Sequence, residues 1–96
     1  MGSVDAIEII FDKYAHLIYV CGYPVDFPRK EWEIMELFYE QRGRAIPREE
    51  IKMKIFNKRS AADNTVSVYV HRVNDKLRQH GCQHVIETVR GLGYRW

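Results

Sequence analysis

The apolar positions of the chain change period twice. Residues 7–11 (IEIIF) and 17–21 (LIYVC) are short β-branched and aromatic runs, followed by a turn-forming GYP at 22–24 and a third short run at 25–27. This spacing predicts three strands in an antiparallel meander, a sheet that can leave one face in water. From residue 30 the period lengthens. Trp32, Met35, Phe38 and Tyr39 recur at helical spacing, Ile34 and Leu37 widen the stripe, and Gly43 follows, so a helix is expected over 30–42. Pro47 makes 45–47 an extended link. Residues 48–56 read as a second, short helix with Ile51, Ile55 and Phe56 inward, its acids early and its lysines late as the macrodipole prefers. A polar loop at 57–62 precedes a third helix over 63–80, capped by Asp63 or Asn64 and ended by Gly81. Val66, Val70, Val73 and Leu77 form its single apolar stripe. Residues 84–89 and 94–96 return to strand patterning, with RGLG at 90–93 as the turn between them.

The polar face of the third helix is unusual. Opposite the stripe lie Asn64, Val68, His71, Arg72, Asp75 and Gln79, flanked by Ser67 and Arg78. A merely solvated helix tends to show Glu/Lys ladders. Asn, Arg, His and Asp beside an exposed valine can instead read base edges in a major groove. A polar outer face with no partner is the competing explanation. The order of elements favours the first. Strands, three helices and a Gly-bearing hairpin make an α+β winged helix-turn-helix, in which the third helix enters the major groove. Arg90 on the hairpin would then reach the adjacent minor groove or its phosphates.

Charge sharpens this expectation. The net charge is only +2, but residues 1–41 carry three Lys/Arg against eight acids, and residues 42–96 carry twelve against five. The basic part holds the second helix, the third helix and the hairpin, which suits a polyanion. Ninety-six residues with 46% hydrophobic content bound one small domain over 1–96, with the MGS at 1–3 read as an expression scar. The longest apolar run, 17–21, is far below the ~20 residues of a membrane span, so no membrane is expected. Two cysteines, Cys21 and Cys82, suggest a reducing cytosol and free thiols, with a bridge between them as the alternative. His80, Cys82 and His84 superficially resemble zinc-ligand spacing. Three candidates on one turn fall short of the usual four, so no metal and no cofactor are expected. No nucleophile elbow, phosphate loop or dinucleotide fingerprint occurs, and an enzyme is not expected.

The tail settles the expectation. Residues 88–96 read TVRGLGYRW. This closely resembles the wing of the OmpR/PhoB-type winged-helix effector domain of two-component response regulators, whose wing reads Thr-Val-Arg-Gly-x-Gly-Tyr-Arg and then an aromatic. Residues 64–73 (NTVSVYVHRV) are similar to that family's recognition helix, 48–51 (REEI) to the start of its second helix, and Glu31-Trp32 to the pair opening its first. The resemblance runs in order over residues 7–96. It implies that Asn64, Val68 and Arg72 face bases, with Ser67 and Asp75 on the same face. It places Tyr69, His71 and Thr88 near phosphates and Arg90 in the minor groove. The loop beginning Asn57, Lys58, Arg59 and Ser60 would meet RNA polymerase. It further implies double-stranded promoter DNA with direct repeats, a homodimer on that DNA, a cytoplasmic location, and a receiver domain absent from these 96 residues.

This sequence departs from the family at several positions. Asn64, Asn74 and Asp75 stand where a basic residue is common, so the recognition face is less basic than usual. Asp75 could accept from a cytosine amino group, or pair with Arg72 or Arg78 and never reach DNA; the second is preferred. Pro28 and Pro47 replace capping hydroxyls, preorganising a first turn without supplying a capping oxygen. Phe56 replaces a tryptophan. Two alternatives remain open at this point: a winged helix that binds protein, and the N-terminal effector domain of a membrane-tethered regulator.

Overall fold

The alternation of the N-terminal residues is realised as a meander of β1 (Ile9–Asp12), β2 (Leu17–Val20) and β3 (Tyr23–Val25). A computed structural model describes residues 8–57 and 63–96. In its register Ile18 lies between Phe11 and Val25, and Val20 between Ile9 and Tyr23. That puts Ile9, Ile18, Val20 and Val25 on the buried face. The third strand starts earlier than the sequence pattern suggests. Cys21 and Gly22, with φ of 49° and 88°, make a two-residue turn, the positive-φ pair that a tight hairpin demands. Pro24, expected in that turn, is instead a strand residue. It is tolerated because β3 is an edge of the sheet.

Helix α1 (Arg29–Glu40) buries Trp32, Ile34, Met35, Leu37 and Phe38, the stripe expected from their spacing. Pro28 precedes it and makes no side-chain cap, as its chemistry dictates. The segment expected to be only a link forms a strand, β4 (Ile46–Pro47). Its pairing partner lies far along the chain, so the local pattern could not reveal it. Helix α2 (Arg48–Ile51) then widens into a π-helical turn, Lys52–Phe56, rather than continuing as one helix. Lys30 of α1 donates to the Ile55 carbonyl at 2.7 Å, satisfying an acceptor of this turn from a neighbouring helix. Phe56, expected inward, is only half-buried and packs beside the core rather than within it.

Helix α3 (Asp63–Gln79) directs Val66, Val70, Val73 and Leu77 into the core, all nearly or fully buried. It ends one residue short of the expected limit. The Gly81 amide donates to Arg78 and the Cys82 amide to Leu77, and Gly81 has φ of 86°. This is a Schellman closure, the reason a glycine stands there. The last strand pair is shorter than its pattern. Only β5 (Glu87–Val89) and β6 (Gly93–Arg95) form strands. His84 has φ of 55°, which breaks the extended run, while Val85 and Ile86 turn into the core. The sheet order β4-β6-β5 puts Tyr94 between Ile46 and Thr88, and Gly93 between Pro47 and Val89. The expected α+β winged helix is the observed fold.

Two polar contacts join α3 to its surroundings. Lys76 Nζ donates to the Asp26 carbonyl at 2.8 Å, lies 5.1 Å from the Phe27 ring centroid, and stands 3.1 Å from Glu31 Oε1. Glu31 is 4% exposed, and that oxygen has no hydrogen bond of good geometry. The pair is therefore held by charge attraction, and it ties α1 to α3 with Glu31 buried and Lys76 partly open to solvent. Asn74 brackets Ile86, donating to its carbonyl at 2.8 Å and accepting from its amide at 3.1 Å. It mimics a strand neighbour and fixes the chain entering β5. Asn74→Ala leaves both Ile86 groups, in a buried residue, without partners. It is expected to cost about 1–3 kcal/mol in a urea titration, with Asn74→Leu no better.

Candidate nucleic-acid interface

The exposed face of α3 follows from its buried stripe. With Val66, Val70, Val73 and Leu77 inward, helical geometry leaves Asn64, Val68, His71 and Arg72 outward, and all four are exposed. Ser67, Tyr69 and Asp75 lie at the margin and are half-buried. The side chains are partly organised among themselves. Ser67 Oγ donates to the Asn64 carbonyl at 3.0 Å, one turn back. The Arg72 guanidinium lies 4.9 Å from the Tyr69 ring, which in turn packs at 5.1 Å against Phe56. An arginine held against an aromatic ring keeps its charge while losing rotamer freedom.

Asp75 accepts hydrogen bonds from Arg78 and, at 3.2 Å, from Gln79. The Arg78 bond, followed by its charge, holds the Asp75 carboxyl below its usual range. The acid is engaged within its own helix, as the bland explanation of this residue required. Asn74 does not belong to the exposed face at all. Its amide is committed to Ile86, so its place in the less basic recognition face is corrected.

The wing is built from the β5–β6 hairpin. Thr88 and Arg90 are exposed, Gly91 turns the chain at φ of 77°, and the Leu92 amide donates to the Val89 carbonyl at 3.0 Å. Arg48 at the start of α2 sits 5.5 Å from the Tyr94 ring. It lines a cleft with Thr88, Val89, Gly91, Leu92 and Gly93. The sequence reading did not single out Arg48. Its signal is the pairing of β4 with β6, which carries the α2 N-terminus to the wing. A second cleft, lined by His71, Asn74, Asp75, Arg78, Gln83 and His84, opens between α3 and the turn that follows it. Thr88 and Arg90 belong to the β5–β6 hairpin rather than to α3. The hairpin presents them separately.

The distribution of paired charge selects among the basic residues. Arg44 grips Glu50 through two bonds of 2.8 and 2.7 Å, and Lys54 reaches the same carboxylate at 3.3 Å. Lys52 pairs with Glu49, Lys76 with Glu31 and Arg78 with Asp75. Among the described residues no carboxylate pairs with Arg48, Arg72, Arg90 or Arg95. Of these, Arg72 stands on α3, Arg90 and Arg95 on the hairpin and Arg48 at the α2 N-terminus beside it, all exposed and able to meet phosphate. The Arg44 bond, ahead of the contributions from Lys54, lowers the Glu50 carboxyl to about 2. A depressed acid stabilises the fold above its unfolded value, near 4.5. That contribution is lost as the pH falls toward 2. Glu50→Gln is expected to flatten this limb of the stability profile between pH 4.5 and 2, measured by thermal melts across that range.

Other expected features can be placed. Asn57, with φ of 52°, ends the π-helical turn. Lys58, Arg59 and Ser60 of the expected polymerase-contact loop lie outside the described residues. His80 Nδ1 lies 2.9 Å from the Lys76 carbonyl, and among the described residues no three His, Cys, Asp or Glu gather as metal ligands. Among them, too, no helix is long and apolar enough to cross a membrane.

Known proteins resemble this arrangement. The chain is 35% identical over 92 residues to the response regulator ArlR of Staphylococcus saprophyticus, covering 95% of this chain and 42% of that protein. It is 30% identical over the same length to ArlR of Staphylococcus aureus strain Mu50. It therefore spans less than half the length of these relatives. Among solved structures, the DNA-binding domain of the response regulator AdeR, in complex with an intercistronic region, superposes with a TM-score of 0.84. It shares 26% identity, with 91% of this chain and 90% of that one covered. The DNA-binding domain of Bacillus subtilis CssR gives 0.77 at 26% identity, with 92% and 98% covered. The family model described as "Transcriptional regulatory protein, C terminal" matches residues 22–96. The chain belongs to that family, the OmpR/PhoB-type winged-helix C-terminal domains of transcriptional regulators.

Proposed function

We propose that this domain binds double-stranded DNA sequence-specifically as the effector part of a response regulator. The carrying observation is the exposed face of Asn64, Val68, His71 and Arg72, set beside a wing whose Arg90 has no carboxylate partner among the described residues. In this reading α3 lies in the major groove, with Arg72, Asn64 and Val68 toward base edges. Tyr69, His71 and Thr88 approach phosphates, and Arg90 enters the minor groove. Ser67 and Asp75 border the face, Ser67 bonded to backbone and Asp75 to Arg78. Two copies sit on direct repeats of a promoter in the cytoplasm, and the segment with Asn57, Lys58, Arg59 and Ser60 meets RNA polymerase. The domain acts by binding and carries out no reaction. The likeness to the AdeR DNA-binding domain, solved in complex with an intercistronic region at 26% identity, supports DNA as the partner.

Salt dependence tests the reading. Fluorescence anisotropy with a labelled duplex should give a log binding constant that falls linearly with log salt, with a slope of roughly 0.9 per phosphate contacted. Arg90→Ala should reduce that slope by about one unit. A slope near zero would leave the basic face without its partner and favour a protein-binding winged helix.

A further inference from the structure

Two tight turns from opposite ends of the chain meet at one seam. The β2–β3 turn is Cys21–Gly22, and the Cys21 amide donates to the Glu8 carbonyl at 2.8 Å. The turn after α3 is the Schellman closure, whose last residue is Cys82. The Tyr23 and His80 rings, centroids 6.4 Å apart, close the two turns on each other. Cys21 is exposed, whereas Cys82 is 6% exposed and packs in the core cluster that includes Val20. The Cys82 thiol also lies 3.9 Å from the His80 carbonyl. Burial pushes the Cys82 thiol up, and the neighbouring Cys21 pushes it further. The sequence pattern places Cys21 in a strand and Cys82 in a turn, with free thiols expected and a bridge as the alternative. The Cys21–Gly22 turn and the turn after α3 bring the two cysteines to one seam.

We propose that Cys21 and Cys82 form a dithiol modification site that a hydroperoxide closes into an intramolecular disulfide. Cys21 is the entry point because its sulfur is open to solvent. Its thiolate attacks the peroxide O–O bond, which breaks. The sulfur becomes a sulfenic acid and hydroxide leaves, taking a proton to become water. The Cys82 sulfur then attacks the Cys21 sulfur and gives up its thiol proton. The S–O bond breaks and a second water leaves. Two thiols and one hydrogen peroxide thus yield one disulfide and two waters. Cys82 acts as the resolving thiol, sheltered from the oxidant until Cys21 has reacted. The bond closes a loop of about 60 residues and clasps the N-terminal sheet to the end of α3.

The test uses the full 96-residue chain, reduced and then exposed to one equivalent of hydrogen peroxide. The expected product has lost the mass of two hydrogens and offers no thiol to an alkylating reagent. After proteolysis it shows one peptide pair joined through Cys21 and Cys82. Its melting midpoint should rise by about 10 °C or more, as for a long loop closed by a disulfide. Cys82→Ser should stop the sequence at the Cys21 sulfenic acid, trapped by dimedone. The wild-type mass and peptide map decide the matter even if that variant folds poorly. Two thiols still open to alkylation, or a dimer joined through Cys21 alone, would overturn the proposal.

Discussion

Gly93→Ala is expected to destabilise the protein by at least about 3 kcal/mol, the upper end of overpacking costs. A Cβ at this position would stand 2.0 Å from the Ile46 carbonyl oxygen and 2.9 Å from both the Ile46 carbonyl carbon and the Pro47 Cα. Those are backbone atoms, so no side chain can rotate away. Gly93 is the point where β6 runs against β4, and the close approach lets Ile46 pair with Tyr94 in the core. Separating the strands would lift Tyr94 out of its site and loosen the wing. Gly91→Ala is the control. It meets open space and has only its φ of 77° to overcome, so a cost near 1 kcal/mol is expected. Thermal melts of the two variants should differ by more than about 5 °C. Equal midpoints would show that the strand crossing tolerates a methyl group.

Replacing both Arg72 and Arg90 by alanine should weaken DNA binding by about 2–6 kcal/mol, each contributing about 1–3. The two changes should differ in kind. Arg72 lies on the α3 face against Tyr69, so Arg72→Ala should also relax base preference. Arg90 lies on the wing, and its loss should weaken binding across sequences alike. Neither side chain is buried, so neither change should lower the melting temperature appreciably. A double variant that binds as tightly as the parent would remove these residues from the interface.

The elements whose partners are close in sequence were legible. The α1 stripe of Trp32, Met35 and Phe38 and the α3 stripe of Val66, Val70, Val73 and Leu77 are buried as their spacing demanded. The wing turn followed from Gly91 and Gly93. What escaped depended on distant partners. β4 is two residues long and exists because β6 passes beside it. The π-helical turn is relieved by Lys30 from another helix. Asn74 has an unremarkable helical position, and only the fold brings Ile86 to it. The same reason explains the charge. A net of +2 hides a basic remainder, but sequence alone could not tell which cations were already held by Glu49, Glu50, Asp75 and Glu31. Pairing leaves Arg48, Arg72, Arg90 and Arg95 as exposed cations open to phosphate near α3 and the wing. Of these, Arg48 was visible only once β4 and β6 were paired.

Selection of bound duplexes from a random DNA pool tests sequence-specific binding most directly. The expected result is enrichment of one short motif, repeated in the same orientation about 10–11 base pairs apart, one helical turn for each bound copy. Recovery of no enriched motif, with retained duplexes binding no better than the starting pool, would contradict the assignment of α3 as a reader of sequence.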